Sequence, residues 1–460
     1  MTVDIFDVAI IGAGVVGCAT ARRLALAGKR VLVLEKAGDI LSGASKANSA
    51  ILHTGFDAPP GSLELDCVQA GYAEYLAIRE SMNLPLLQTG AMVVAWTEEE
   101  EARLAELESQ AHANGISDAC RIGRRAVADR EPQLSDAARA ALIVPGEHVI
   151  DPWSPFLAYA RQAINGGSHF VFDAEVTSGL FDGKTWTLTT AKGAFSANGV
   201  VNCAGLYGDV VEQRLLGSSS FSIRPRKGQF AVFDKAASRL LTTIILPVPN
   251  ERTKGVVLCR TAFGNVLIGP TAEEQLDRDN ASVDEATLSQ LIARARVMLP
   301  ALGNVPITAV YAGLRPATEE KHYRIRHEPD LNWLSIGGIR STGMTASLGL
   351  AQHAVRLLLG GDGPLSDLTA APAEPVPNLA EHRTRDWQLA GYGEIVCHCE
   401  MVTRREIEAA FAGPLPPGDP GGLKRRTRCT MGRCQGFNCL GRLTELTGSR
   451  LAHPFPGERL

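Results

Sequence analysis

The sequence predicts an α/β fold at its N-terminal end, continued by α+β structure, with a small helical, cysteine-bearing module at its C-terminal end. Three observations predict this. A strand, a glycine-rich turn, a helix, a second strand and an acid follow one another within the first 35 residues. Five of the ten cysteines fall in the last 64 residues, as Cys397-His-Cys399, Cys429 and Cys434-x4-Cys439. The 460 residues are too many for one simple core, so two or three domains are expected.

Bulk composition narrows the function classes. Charged residues make up 21% and hydrophobic residues 45%, an ordinary globular balance. A net charge of −4 lacks the basic excess of a nucleic-acid-binding protein. The apolar runs are strand-sized, short of the roughly 20 residues a spanning helix needs, so no transmembrane segment is expected. Met1-Thr2-Val3-Asp4 has neither the basic nor the apolar region of a signal peptide. The expected location is cytoplasmic, with peripheral membrane attachment only through a partner. Thiols stay reduced in that compartment. The cysteines therefore read as metal ligands or buried apolar residues, and Cys18, Cys67, Cys203 and Cys259, each standing singly, read as packing residues.

Residues 7–11 (DVAII) form a buried-strand run, and GAGVVG follows at 12–17. A helical pattern over 18–26 closes at Gly28, and a second strand over 31–34 ends at Glu35. Gly12 permits the tight turn, Gly14 the approach of a pyrophosphate, and Gly17 close helix–strand packing. The helix N-terminus offers free N–H groups to phosphates. Glu35 can accept hydrogen bonds from a ribose diol and repels a 2′-phosphate. A dinucleotide site is expected; a glycine turn serving packing alone is the plain alternative. The fingerprint does not separate NAD from FAD. Small and polar residues after it, Ser45 and Asn48 among them, suit a loop wrapped closely around a cofactor. Another apolar strand, starting at Val200, ends in a small-residue turn at Ala204-Gly205. A third glycine-rich turn carries Gly338, Arg340 and Gly343 into a helix from Met344 and Thr345 to about Leu359. That helix N-terminus can hold a flavin's polar ring edge or ribityl chain.

Several segments match one family in order: GAGVVG at 12–17, ASKANSAILHTGFDAPPGSL at 44–63, VVNCAGLYGD at 200–209, RPRKGQF at 224–230, GNVLIGPTAE at 264–273, YAGLRPAT at 311–318 and GIRSTGMTAS at 338–347. Residues 5–360 resemble the D-amino-acid-oxidase-like superfamily of FAD enzymes. Within it they resemble the branch of L-2-hydroxyglutarate dehydrogenase and FAD-dependent glycerol-3-phosphate dehydrogenase. The resemblance implies FAD as cofactor. It also implies a Rossmann-type FAD domain interleaved with a mixed antiparallel-sheet substrate domain, together spanning residues 1–361.

Oxidation of a carbon bearing a hydroxyl or amine needs a base and a group to fix an anionic substrate end. His53, just after the wrapping loop, is the candidate base; the alternative is a structural histidine on a buried strand. Arg315 is the candidate clamp, because its fork matches two oxygens of a carboxylate or phosphate. A sheet-edge ion pair is the alternative there. The matching position in the resembled family tends to face substrate. Arg340, Lys227 and Arg226 are second-line candidates, the last two reading equally well as solvated charges. Gly228 permits close backbone contact with a flavin ring. Glycerol-3-phosphate enzymes often carry arginine in the loop that here reads Lys46-Ala47-Asn48-Ser49-Ala50. Lys46 lacks the fork, so a dicarboxylate or another hydroxy acid stays open as substrate.

Residues 362–393 turn Pro/Ala-rich and read as a linker or wrapping arm. The module over 394–450 predicts a helix over 403–412 with a Thr403–Glu406 capping box, a turn segment over 413–422, and a helix over 435–447. Four thiolates from two turns suit a [2Fe–2S] centre, and the basic run 424–428 with Arg433 would stabilise its negative charge. VCHCE and RCTMGRCQGFNC resemble the bacterioferritin-associated-ferredoxin-like module. That resemblance implies Cys397, Cys399, Cys434 and Cys439 as ligands and Cys429 as a spare thiol. A zinc site, an empty site, and exchange of Cys429 with Cys434 stay open.

The two ends together predict an FAD-dependent dehydrogenase of an anionic secondary alcohol, such as glycerol 3-phosphate or a 2-hydroxy acid like L-2-hydroxyglutarate. Its electrons are expected to leave through the cluster to an acceptor protein, partner subunit or quinone. An amine or amino-acid dehydrogenase and a non-catalytic flavin/iron–sulfur electron-transfer subunit are the other readings.

Overall fold

A computed structural model describes residues 4–249, 255–360 and 372–455. The first three residues, and residues 362–371 of the expected arm, lie outside the described residues. Strand Ile5–Ile11, buried from Val8 onward, pairs in parallel with Val31–Leu34 on one side and Gly193–Asn202 on the other. His169–Val171 and Trp333–Gly337 extend the parallel set outward. Antiparallel strands Ser178–Phe181, Trp186–Thr190 and Arg324–Glu328 complete eight strands. Helices Val15–Leu26, Ser154–Asn165 and Gly343–Leu359 share a core with this sheet. Cover on both faces explains why VLVL at 31–34 is apolar at every position rather than alternating.

A second sheet has nine strands. Its spine is the long antiparallel pair Ile223–Phe233 and Ile307–Thr318. Ala91–Ala95 and Ile244–Pro247 pair in parallel and make the sheet mixed. The chain shuttles between the sheets. The first takes strands from 5–34, 169–202 and 324–337, and the second from 91–144 and 223–318. A small sheet of Ile51–Leu52, Leu86–Leu87 and His148–Ile150 adjoins them. Among the described residues no helix is long and apolar enough to cross a membrane.

Two helices cross with their backbones in contact. Leu63–Ile78 is N-capped by Ser62, whose hydroxyl accepts from Leu65 N at 3.2 Å. It packs on Gly343–Leu359 through Gly71 and Gly349. A Cβ on Gly71 would lie 1.9 Å from Thr345 O, and one on Gly349 2.1 Å from Cys67 O. This crossing fixes the N-terminal turn of the second helix beside the cleft described below.

The C-terminal residues form a hairpin, Ile395–Cys397 with Val402–Thr403, and three short helices. Arg404–Ala412 carries the expected capping box: Thr403 Oγ1 accepts from Glu406 N at 3.1 Å and Glu406 Oε2 from Thr403 N at 2.9 Å. The expected turn over 413–422 is cut short by helix Pro420–Thr427. Asp419 caps that helix through Gly422 N at 2.6 Å, and proline suits its first turn. The last helix starts at Leu440, not Gln435, because Gln435 and Gly436 adopt φ of +49° and +94°. Cys18, Cys67, Cys203 and Cys259 are all buried, as packing residues should be.

Gly349→Ala should cost about 1–3 kcal/mol through overpacking and lower the Tm of the holoprotein in calorimetry. Gly303→Ala, with open space around its Cβ, should leave the Tm unchanged.

Candidate active site

One cleft of about 870 Å³ runs along the C-terminal ends of the parallel strands and under the second sheet. Gly12 turns the chain at φ +104°, where a Cβ would stand 2.6 Å from Cys203 O. A Cβ on Gly17 would meet Gly12 O at 1.9 Å, so helix and turn close only on glycine. The first helix begins at Val15 without a cap from its own N-cap residue, Gly14. Val15 N instead donates to Ser45 Oγ at 3.1 Å. Glu35 Oε2 accepts from Ala13 N at 2.7 Å and Oε1 from Ala37 N at 2.9 Å, setting the acid at the strand's end. Asn48 braces the wrapping loop by donating to Ser45 O at 3.1 Å and accepting from Ala50 N at 2.9 Å. Ala204, Gly205, Gly338, Gly343 and Met344 complete this wall. Gly17 and Thr345 lie behind it; Thr345 is buried and accepts from His53 N at 3.0 Å.

Three guanidiniums gather at the other end: Arg226, Arg315 and Arg340. Arg315 Nη2 donates to Thr271 O at 2.5 Å and Lys227 O at 3.2 Å, and Nε to Arg226 O at 3.4 Å, so backbone carbonyls hold the guanidinium in the cleft wall. Burial first, then the charges of Arg226 and Arg340, push its pKa down to about 10, so it remains cationic at neutral pH. Arg340 is lowered in the same way, by burial and by Arg226 against Glu64. Arg226 pairs with Glu274 at 2.8 Å and Arg340 donates to Lys321 O at 2.7 Å. An anion arriving here relieves repulsion among three cations. Lys227 stands apart from this group: strand register sets it opposite Glu273, and Nζ pairs with that carboxylate at 3.1 Å. Gly228 lines the cleft, but its missing Cβ makes room for Pro270 and the Arg315 guanidinium.

His53 lines the same cleft, one residue past Ile51–Leu52. Its Nδ1 stands 2.8 Å from Oε2 of Glu147, whose side chain is wholly buried. Nothing in the Gly146-Glu147-His148 sequence marks this acid. Only the pairing of Leu52 with His148 brings it opposite His53.

The four expected thiols lie two and two, Cys397 beside Cys439 and Cys399 beside Cys434. N–H groups of Glu400 and Thr430 point at Cys397, and those of Gly436 and Asn438 at Cys434. Left-handed residues Arg428, Thr430 and Gln435 shape these turns into amide nests. The Cys439 hydrogen bond, with the amides, pulls Cys397 down to about 6 against burial. Cys429 is buried, and burial pushes its pKa well up. Among the described residues no group of three or more His, Cys, Asp or Glu side chains is placed to hold a metal ion.

The basic run serves another purpose than the one expected. Arg426 makes a two-pronged pair with buried Asp39 at 2.8 and 2.9 Å. Arg425 donates to Ile40 O at 2.9 Å, and Arg428 pairs with Glu400 and Glu381. Arg433 pairs with Asp234 at 2.8 Å. Arg425 and Arg426, on helix Pro420–Thr427, thus dock the module on the nucleotide-site loop, Arg433 docks it at Asp234, and Arg428 ties the module to the arm.

The family described as FAD dependent oxidoreductase matches residues 7–357. The chain belongs to this family. It is 30% identical to a glycerol 3-phosphate dehydrogenase of Caloramator mitchellensis over 97% of this chain and 94% of that protein. It is 31% identical to an L-2-hydroxyglutarate dehydrogenase of Indibacter alkaliphilus over 62% of this chain and 72% of that one. The solved L-α-glycerophosphate oxidase of Mycoplasma pneumoniae with FAD bound superposes at a TM-score of 0.73 and 26% identity, covering 82% of this chain and all of that one. The cofactor is FAD, and the cradle fits it: the missing Cβ atoms at Gly12 and Gly14, the helix N-terminus and the Glu35 carboxylate lie along one wall.

Gly14 has φ −75°, so a side chain there brings no backbone strain, only bulk toward Ser45 at 3.0 Å. Gly14→Val should fold with unchanged far-UV circular dichroism yet purify without flavin, read from its visible absorbance.

Proposed function

We propose that this chain is an FAD-dependent dehydrogenase of an anionic secondary alcohol, with glycerol 3-phosphate as the first substrate. The observation that carries this reading is the trio Arg226, Arg315 and Arg340 sharing the dinucleotide cleft with His53. Arg315 and Arg340 hold the substrate's phosphate or carboxylate, and His53 takes the hydroxyl proton. FAD, when bound, accepts the hydride from the same carbon. Gly12, Gly14, Glu35, Ser45 and Asn48 would hold its nucleotide and pyrophosphate, with Gly17 behind them packing the helix on the turn. Ala204, Gly205, Gly338, Gly343 and Met344 would surround the remainder, with Thr345 buried behind them. L-2-hydroxyglutarate is the second substrate reading, supported by the relative of that name and by Lys46 standing where a forked phosphate ligand is expected.

We divide the chain into an oxidoreductase body over 1–361, an arm over 362–393 and a thiol module over 394–450. The Caloramator dehydrogenase aligns over 97% of the chain, the module included, whereas the family match ends at residue 357. Cys397, Cys399, Cys434 and Cys439 would hold a [2Fe–2S] cluster. The pairing of the thiols and the amides around them support this reading. Such a cluster supplies a one-electron outlet toward an acceptor protein, partner subunit or quinone.

Anaerobic addition of glycerol 3-phosphate should bleach the flavin band. No bleaching by it, by L-2-hydroxyglutarate or by other hydroxy acids would overturn the reading. Arg315→Ala should cost about 2 kcal/mol or more of anion binding, roughly a 30-fold rise in KM.

The anaerobically purified chain should contain about two irons per flavin if the cluster forms. Cys434→Ser should lose iron and keep FAD, whereas Cys429→Ser should keep both, by metal analysis and visible spectra.

A further inference from the structure

We infer that Glu147 is the positioning residue that fixes the tautomer of His53; this rests on the reading of His53 as the base. The acid sits in the turn between Ala140–Val144 and His148–Ile150. That turn is pinned by Tyr72, whose hydroxyl donates to Gly146 O at 2.8 Å. One register step past Leu52 and His148, the antiparallel pair sets His53 against Glu147.

Every hydrogen bond to the carboxylate has a fixed direction. Oε1 accepts from Thr54 N at 2.6 Å and Thr54 Oγ1 at 2.8 Å. Thr54 Oγ1 in turn accepts from Phe56 N at 3.3 Å, which leaves the hydroxyl proton for Glu147. Oε2 faces His53 Nδ1 at 2.8 Å. An ionised carboxylate is an acceptor only, so a neutral imidazole here carries its proton on Nδ1. Nε2, the other ring nitrogen, is then the acceptor of the neutral ring. That is the state a general base needs when it takes the hydroxyl proton of an alcohol, and it becomes imidazolium facing a carboxylate.

Glutamine at this position reverses the arrangement without changing its shape. Thr54 N–H can only donate, so the amide oxygen must stay on Thr54. The amide NH₂ is then turned to His53 Nδ1 and donates to it. The imidazole proton moves to Nε2, the edge that should accept. A buried acid that only braced the fold would not invert the proton's position in its near-isosteric amide.

The test uses the FAD-loaded enzyme with ¹⁵N-labelled histidine, at a pH where the imidazole is neutral. In the native enzyme His53 should show a protonated Nδ1, and in Glu147→Gln a protonated Nε2. The variant should keep its flavin and a KM within about threefold. Its kcat should fall about 100-fold or more, as expected when a general base presents the wrong tautomer. Glu147→Asp keeps an acceptor and should recover part of that loss. A native His53 protonated on Nε2 would overturn the inference, and this readout needs no variant to fold. So would a Glu147→Gln enzyme with Nδ1 still protonated or with kcat within threefold of native. If no hydroxy acid bleaches the native flavin, the base reading fails by itself, and the tautomer spectra still decide whether Glu147 sets the proton.

Discussion

The turn at Gly12 is the constraint on which the rest of the cleft depends. Strand Ile5–Ile11 ends there against Cys203 O, closer than any side chain allows. That contact binds the ends of two neighbouring parallel strands, and Gly17 then seats the first helix directly on the turn. Helix N-terminus, Glu35 and the wrapping loop take their places from this point. The loop reaches across to the second sheet, where Tyr311 donates to Asn48 O at 2.9 Å and Gly313 lies against Ala47. The anion end is therefore held at a set distance from the nucleotide end by a tyrosine hydrogen bond and a close glycine contact.

The thiol module is tied to the same loop. Asp39 lies four residues beyond Glu35 and is buried with Arg426 in a paired, hydrogen-bonded geometry. Removing one partner of such a pair leaves a buried charge without compensation, which costs about 3–5 kcal/mol. Gly418 packs on Gly38 with no room for a Cβ, and His453 bonds Asp173 at 2.8 Å. On the other side Arg428 lies over Phe263, which stacks on Trp153, whose indole reaches Lys46 O. The module thus grips the flavin-side loop at both ends and is no loose appendage.

The dinucleotide half was legible because its signal is local: each glycine acts on a neighbour within a few residues, and Glu35 closes the pattern. His53 and Arg315 can be picked out by residue type and position, and both line the cleft. Their surroundings were not legible. Glu147 meets His53 across 94 residues of sequence, through a two-residue strand too short to leave a pattern. Glu273 claims Lys227 through register alone. The basic run misled because nearness to Cys429 in sequence suggested nearness to the thiols in charge. The direction of helix Pro420–Thr427 decides otherwise, and that direction follows from Asp39, nearly 400 residues away.

The shuttling of the chain between its two sheets has a consequence for how the molecule assembles. The first sheet joins strands from residues 5 to 337 and the second joins strands from 91 to 318, so neither is complete until distant segments have met. Contacts of such sequence separation make folding slow, because loop closure is lost before packing is gained. The cleft exists only once both sheets have closed, so FAD recognises the finished body and shifts the folding balance toward it by mass action. Cofactor supply thus governs how much of the newly made chain survives as protein, apart from any part it takes in turnover.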